Sequence, residues 1–133
     1  MKNQTWLLII LASNIISTLF HYSDNYFFFN LYPAPDWMEP NQVYTAWLVL
    51  TPLAIAGYFL YQQRQFWLAY VFLFSYSLTS VSSIGHYFFG SPLELMAKMN
   101  LFICTDFLVG ISLISFIFWS MFIRQEWRLE SIK

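Results

Sequence analysis

The stretch of residues 96–123, MAKMNLFICTDFLVGISLISFIFWSMFI, decides the fold class of this chain. Only Lys98 and Asp106 carry a charge within it. A helix that crosses the hydrocarbon core of a bilayer needs about 20 mostly apolar residues. The stretch therefore predicts a transmembrane helix, because it is too long and too continuously apolar to be a strand of a membrane barrel.

Three further apolar windows precede it, at residues 6–29, 44–61 and 66–89. The breaks between the windows are a loop with three prolines at residues 32–41, the polar hairpin QQRQ at 62–65 and the sequence GSP at 90–92. Proline removes a backbone donor and disfavours helix in the residue before it. The sequence predicts an all-α integral membrane four-helix bundle, with residues 1–133 as a single transmembrane domain.

Composition supports this class and excludes others. Hydrophobic residues make up 59% of the 133 residues and charged residues only 10%, whereas about a quarter of a soluble domain is charged. So few charges could not cover a water-facing surface. The net charge of −1 gives no basic footprint for a nucleic acid, and a single cysteine, Cys104, excludes a disulfide framework and a multi-thiolate metal site.

The distribution of basic residues predicts the orientation of a multi-pass membrane protein. Loops on the cytoplasmic side carry an excess of Lys and Arg. Lys98 is alone on one side of the predicted bundle, and five basic residues share the other side: Lys2, Arg64, Arg124, Arg128 and Lys133. We therefore expect both termini to be cytoplasmic and the loop at residues 33–40 to lie outside.

Polar residues form a stripe along the first predicted helix. Asn14, Thr18, His21 and Asn25 recur at spacings of four, three and four, with Asp24 beside them. Such a stripe is expected to face other helices or a wet cavity, because polar groups that face lipid are costly. With a rise of about 1.5 Å per residue, polar residues of the other helices fall at a similar depth in the outer half of the bilayer. The candidate ligand-binding residues are His21, Asp24, Asn25, Thr51, His86 and Asp106.

The depth of Asp106 makes it the most informative residue of this set. A lone ionised carboxylate near the centre of a membrane helix costs roughly 2.5–3.5 kcal/mol. We expect Asp106 to be protonated, paired with a histidine or Lys98, or bound to a positive group.

Several functions fit such a cluster. His21, Asp24, His86 and Asp106 offer two nitrogens and two carboxylates, a set acceptable to zinc or iron in a metal-dependent membrane enzyme. Histidine and carboxylate could also transfer protons on a lipid-like substrate, or recognise a cationic or hydroxylated amphiphile. Alternatively, the stripes are interhelical glue in a non-catalytic subunit or assembly factor of a larger membrane complex. The sequence leaves open whether the chain is an enzyme, names no cofactor and is compatible with a homodimer.

Short motifs also resemble the EXPERA family of small helical membrane proteins, which includes emopamil-binding protein and the sigma-2 receptor. They are FHYSDN at 20–25, PAPDW at 33–37, TAWLVLTPL at 45–53, QRQF at 63–66 and GHYF at 85–88. The resemblance covers roughly residues 18–120. It implies a four-helix bundle with a lipid-accessible pocket for sterol-like or cationic amphiphilic ligands. Some relatives isomerise a sterol double bond, but their acidic residue early in the second helix is missing here, where residues 42–44 read QVY. We therefore expect a pocket for a hydrophobic or cationic amphiphilic small molecule. We do not extend the isomerase reaction to this chain.

Overall fold

The structure is a computed structural model that describes residues 2–132, with side chains described for residues 2–129. Lys133, one of the basic residues that predict the orientation, lies outside the described residues. Four helices run through the chain: α1 (Lys2–Phe27), α2 (Pro40–Gln62), α3 (Phe66–Val81) and α4 (Ala97–Phe118). A 3₁₀ segment (Ser82–Phe88) continues α3, and a π-helical turn (Trp119–Ile123) continues α4.

The all-helical class is confirmed, and the described residues contain no strand. All four helices, with their continuations, are long and apolar enough to cross a membrane. The start of α2 differs from its predicted window because local capping extends it. Glu39 and Gln42 form a capping box, in which the Glu39 N–H donates to Gln42 Oε1 at 3.0 Å, and Pro40 occupies the first turn. An apolar window cannot detect such a polar first turn.

Each helix packs against its neighbours in chain order, and α4 packs back against α1. Glycines allow two of these contacts to be close. A Cβ atom on Gly57 would lie 2.8 Å from Cγ of Leu73, and one on Gly110 would lie 2.9 Å from Cβ of Ser80. Small residues let helix backbones approach closely in this way. As a result, α2 and α4 each pack closely against α3.

Different segments of the chain lie at the two ends of the bundle. At one end, called the loop end, lie the α1–α2 connection and the segment of residues 89–96. At the other, called the terminal end, lie the α2–α3 hairpin and the C-terminal 3₁₀ segment (Glu126–Ile132). Arg64 takes a left-handed conformation in the hairpin, with φ of 62°. Before α4, the N–H of Glu94 donates to the Ser91 carbonyl in a turn.

The bundle is apolar outside as well as inside. Large apolar side chains from all four helices are exposed, among them Phe27 (74%), Val49 (64%), Val71 (61%) and Leu108 (63%). The buried interior mixes an apolar cluster that includes Leu7, Leu73 and Leu113 with fully buried polar residues. This distribution of exposed apolar and buried polar side chains differs from that of a water-soluble protein, which exposes few contiguous apolar patches.

Candidate functional site

A cavity of about 530 Å³ lies at the loop end, between α1, the start of α2 and the 3₁₀ segment. This volume is within the range of small-molecule sites in proteins. The α1–α2 connection forms one wall through residues such as Pro33, Trp37 and Met38. The lining is mainly apolar, and its most polar side chains are His21, Asn25, Gln42 and His86.

His21 is held by a buried carboxylate. Its Nδ1 lies 2.7 Å from Oδ2 of Asp106, and the Ser17 hydroxyl donates to Oδ1 of the same carboxylate. Asp106 is fully buried and His21 is 2% exposed. A carboxylate at Nδ1 fixes both the tautomer and the orientation of an imidazole. Asp106 is thus paired with a histidine, one of the three states that its depth predicted.

A second chain of hydrogen bonds holds Asn25 and His86. His86 Nδ1 lies 2.7 Å from the Pro33 carbonyl oxygen, which can only accept, so the imidazole carries a proton on Nδ1. His86 Nε2 is then an acceptor in the neutral ring, and the Asn25 amide nitrogen donates to it at 3.1 Å. Both ring nitrogens of His86 are therefore occupied.

Two atoms of this cluster have no hydrogen-bond partner. They are His21 Nε2 and Asn25 Oδ1, the only buried side-chain nitrogen or oxygen atoms in the described part of the chain that lack one. Both residues line the cavity. A buried polar group left unpaired costs about 1–3 kcal/mol, so buried polar groups are nearly always satisfied in folded proteins. Two residues of a mainly apolar cavity wall therefore each contain one unsatisfied polar atom.

Asp24 lies outside the cavity lining and ties the α1–α2 connection to the bundle. Its Oδ1 pairs with Lys98 Nζ at 2.6 Å, and its Oδ2 accepts from the Tyr32 hydroxyl at 2.8 Å. Burial and the hydrogen bond to Asp24 raise the pKa of Tyr32 far above its usual value, so the phenol stays a donor. The Tyr32 ring packs against His86, with ring centroids 5.2 Å apart.

The structure brings together most, but not all, of the candidate residues. The rings of His21 and His86 lie 5.5 Å apart, and Asp106 touches His21 from behind without lining the cavity. Thr51 does not line the cavity. Its hydroxyl donates to the Trp47 carbonyl one turn earlier in α2, at 2.7 Å.

The four residues proposed as metal ligands do not form a metal centre in the described residues, where no group of three or more His, Cys, Asp or Glu side chains could hold an ion. The hydrogen bonds explain this arrangement. Nδ1 of His21 faces Asp106, both nitrogens of His86 are bonded, and Asp24 is turned towards Lys98 and Tyr32.

The wall that covers the cavity was not predicted from the sequence. Pro33, Trp37 and Met38 belong to a connection that proline content predicts to be a loop, and nothing in its sequence says that it folds over the helices. Only the structure shows how closely the loop approaches Gly90, where a Cβ atom would lie 2.5 Å from Cγ of Pro33. The Gly90 backbone and Pro33 are in direct contact, and this contact seats the loop.

Comparison with known proteins adds no relative. No family model matches the chain, no curated protein matches its sequence and no solved structure matches its fold. The resemblance to the EXPERA family consequently stays a prediction from the short motifs.

Proposed function

We propose that this chain is a multi-pass integral membrane protein whose loop-end cavity binds a hydrophobic or cationic amphiphilic small molecule, sterol-like or lipid-like. One observation carries the proposal: His21 and Asn25, two residues that line a mainly apolar cavity, each contain a buried side-chain atom without a hydrogen-bond partner. The polar end of a ligand would supply the missing hydrogen bonds, both of them from an ammonium group and one of them from a single hydroxyl. Its apolar body would fill the space beside Val43, Ala46 and Phe89. Such a combination of an apolar lining with a few convergent polar groups is typical of ligand sites.

The exposed apolar surface supports insertion in a bilayer. Phe27, Val49 and Leu108 would otherwise contact water, whereas lipid tails solvate them at no cost. The partition of five basic residues against Lys98 supports cytoplasmic termini. In this orientation the cavity lies in the outer half of the bilayer, where an amphiphile would place its polar end.

Impermeant maleimide labelling in intact cells tests this orientation. Single cysteines at Gln63 and Asn41, each introduced with Cys104→Ser, report on the hairpin and on the start of α2. We expect labelling at position 41 and none at position 63 until the cells are permeabilised. The reverse pattern would place the cavity in the inner half of the bilayer.

Filling the cavity tests binding. Gly85 lines the cavity, and a Cβ atom there meets nothing within 4 Å, so Gly85→Leu adds bulk without a clash in the bundle. Ala12→Leu is the matched control, because it places the same leucine side chain at an exposed position of α1. The probes are a photoreactive analogue of cholestanol and photoreactive hexadecylamine, added to the purified protein in detergent.

We expect at least one probe to label the wild type and the Ala12→Leu variant equally, with a loss of about tenfold in Gly85→Leu. Equal labelling of Gly85→Leu, or no labelling of the wild type by either probe, would contradict the proposal. Stoichiometric metal in the purified protein would favour the metal-dependent enzyme. Copurification of a defined larger complex without any probe binding would favour the subunit or assembly factor.

A further inference from the structure

We infer that His86 is a positioning residue that makes the cavity present a hydrogen-bond acceptor, so that the site selects ligands whose polar end donates a hydrogen bond. The inference rests on the proposed function and deepens it. It starts from the orientation of one amide, since Asn25 turns its nitrogen to His86 and leaves Oδ1 without a partner. The opposite orientation of the amide would leave a donor in the same place.

The orientation of the amide follows from the covering loop in three steps. The Pro33 carbonyl can only accept, so it requires the proton of His86 to be on Nδ1. The neutral ring then has a lone pair on Nε2, which requires a donor. Asn25 supplies that donor through its amide nitrogen, and Oδ1 is consequently the atom left over.

The loop that starts this sequence of bonds is itself anchored. Pro33 packs against Gly90 so closely that a Cβ atom there would lie 2.5 Å from Cγ of Pro33. The neighbouring Tyr32 is 5% exposed and donates to Asp24. The main chain that covers the cavity thus also sets the polarity of the cavity wall, through His86.

The second unpartnered atom has the same polarity when His21 is neutral. Asp106 accepts at Nδ1 of His21, so the proton of the neutral ring is on that nitrogen and Nε2 is an acceptor. The two acceptors are on residues one helical turn apart in α1, so an ammonium group can donate to both, whereas a hydroxyl has one proton and donates to one of them. A ketone cannot donate, and it would leave both atoms unsatisfied.

Two sterols that differ only at this polar end provide the test. Cholestanol carries a hydroxyl where cholestanone carries a ketone, and both compete with the photoreactive cholestanol analogue for the protein in detergent. The measured quantity is the ratio of their inhibition constants. We expect the wild type to prefer cholestanol about tenfold.

Variants of His86 then show whether it sets this ratio. His86→Phe keeps a ring but removes both nitrogens, so the Asn25 amide loses its directing bond, and we expect the ratio to fall to about two or less. His86→Gln, with one donor and one acceptor, should restore part of the preference. Tyr87→Phe is the matched control, because its hydroxyl bonds Asn100 and does not line the cavity, and it should keep the ratio of the wild type.

A second variant, at a residue other than His86, keeps the test possible if His86→Phe does not fold. Gly90→Ala pushes against Pro33 and displaces the carbonyl that orients His86, so it should also lower the ratio. An unchanged ratio in folded His86→Phe, or in Gly90→Ala if the first variant does not fold, would overturn this inference and leave the binding function intact. A wild type that binds neither sterol nor hexadecylamine would instead contradict the proposed function itself.

Discussion

Each end of the bundle contains a carboxylate bonded to hydroxyl groups, but the two clusters are completed differently. At the terminal end, Glu126 accepts from Ser120 and Asn3, both at 2.5 Å, and from Tyr61. The Tyr70 hydroxyl joins the same cluster through Ser120, at 2.8 Å. No buried side-chain nitrogen or oxygen there is without a partner, within the part of the chain that the structure describes.

At the loop end, by contrast, the hydrogen-bond network around Asp106 and His86 includes two atoms that have no partner. A completed network gains nothing from a ligand, and its role is to join elements of the fold. An incomplete network beside a cavity costs free energy until something binds. The comparison therefore favours a structural role for the terminal-end cluster and supports the binding role proposed for the loop-end cluster.

The largest expected effect is at Asp106. Asp106→Leu leaves His21 Nδ1 and the Ser17 hydroxyl without their acceptor, and each buried donor left unpaired costs about 1–3 kcal/mol. Asp106→Asn keeps the shape and loses the charge, so we expect binding of the photoreactive probes to fall sharply in both variants. Thermal stability and photolabelling in detergent measure the two effects. An Asn variant equal to the wild type in both would reduce Asp106 to interhelical glue, whose bonds average only about 0.6 kcal/mol.

The terminal-end cluster is expected to separate stability from binding. Glu126→Leu removes the acceptor shared by Tyr61, Ser120 and Asn3, and we expect a loss of about 1–3 kcal/mol of stability. Photolabelling of the folded protein should be unchanged, because the cavity lies at the opposite end. Ser112→Ala is a suitable control, since its exposed hydroxyl bonds only the Leu108 carbonyl of its own helix. Loss of labelling in Glu126→Leu below its melting temperature would break the distinction between the two ends.

The ion pair between Lys98 and Asp24 should have a smaller effect. Lys98→Met removes the bond to Asp24, and Lys98 is 44% exposed, so the stability should change by no more than about 1 kcal/mol. Tyr32 still donates to Asp24 in this variant and retains the loop. Tyr32→Phe in the Lys98→Met background should therefore reduce photolabelling by more than the sum of the two single effects. Simple additivity of the two single effects would mean that these contacts do not hold the loop together.

Thr51 provides the smallest expected effect and a check on the borders of the site. Its hydroxyl bonds the backbone of its own helix, so Thr51→Val should change stability by no more than about 0.5 kcal/mol and leave photolabelling unchanged. Thr18→Val is the comparison variant, because the Thr18 hydroxyl contacts other helices and not only its own. It accepts from Trp47 of α2 at 3.0 Å and lies 3.3 Å from the Tyr76 hydroxyl. A Thr51 variant with reduced photolabelling would extend the site along α2.

The number and the approximate extent of the helices followed from the sequence, because long apolar runs broken by proline and polar turns leave few alternatives. The stripe from Asn14 to Asn25 also predicted an inward polar face, since these spacings place side chains on one side of any helix. Asn14 and Thr18 in fact bond other helices: the Asn14 amide donates to the Val109 carbonyl at 2.8 Å, and Thr18 accepts from Trp47. These features depend on local periodicity, which a single sequence contains in full.

Which polar residues are satisfied, and which are left over, was decided only by the tertiary structure. His21, His86 and Asp106 are distant in the chain and similar in kind, and nothing in their spacing shows that Asp106 would be closed off behind His21. Nor does spacing show that a loop carbonyl at Pro33 would occupy His86 and leave Asn25 Oδ1 free. Hydrogen bonds are short and directional, so pairing depends on differences of about 1 Å between packed helices. A sequence pattern fixes the face of a helix, but only the packing of all four helices and the covering loop fixes such distances.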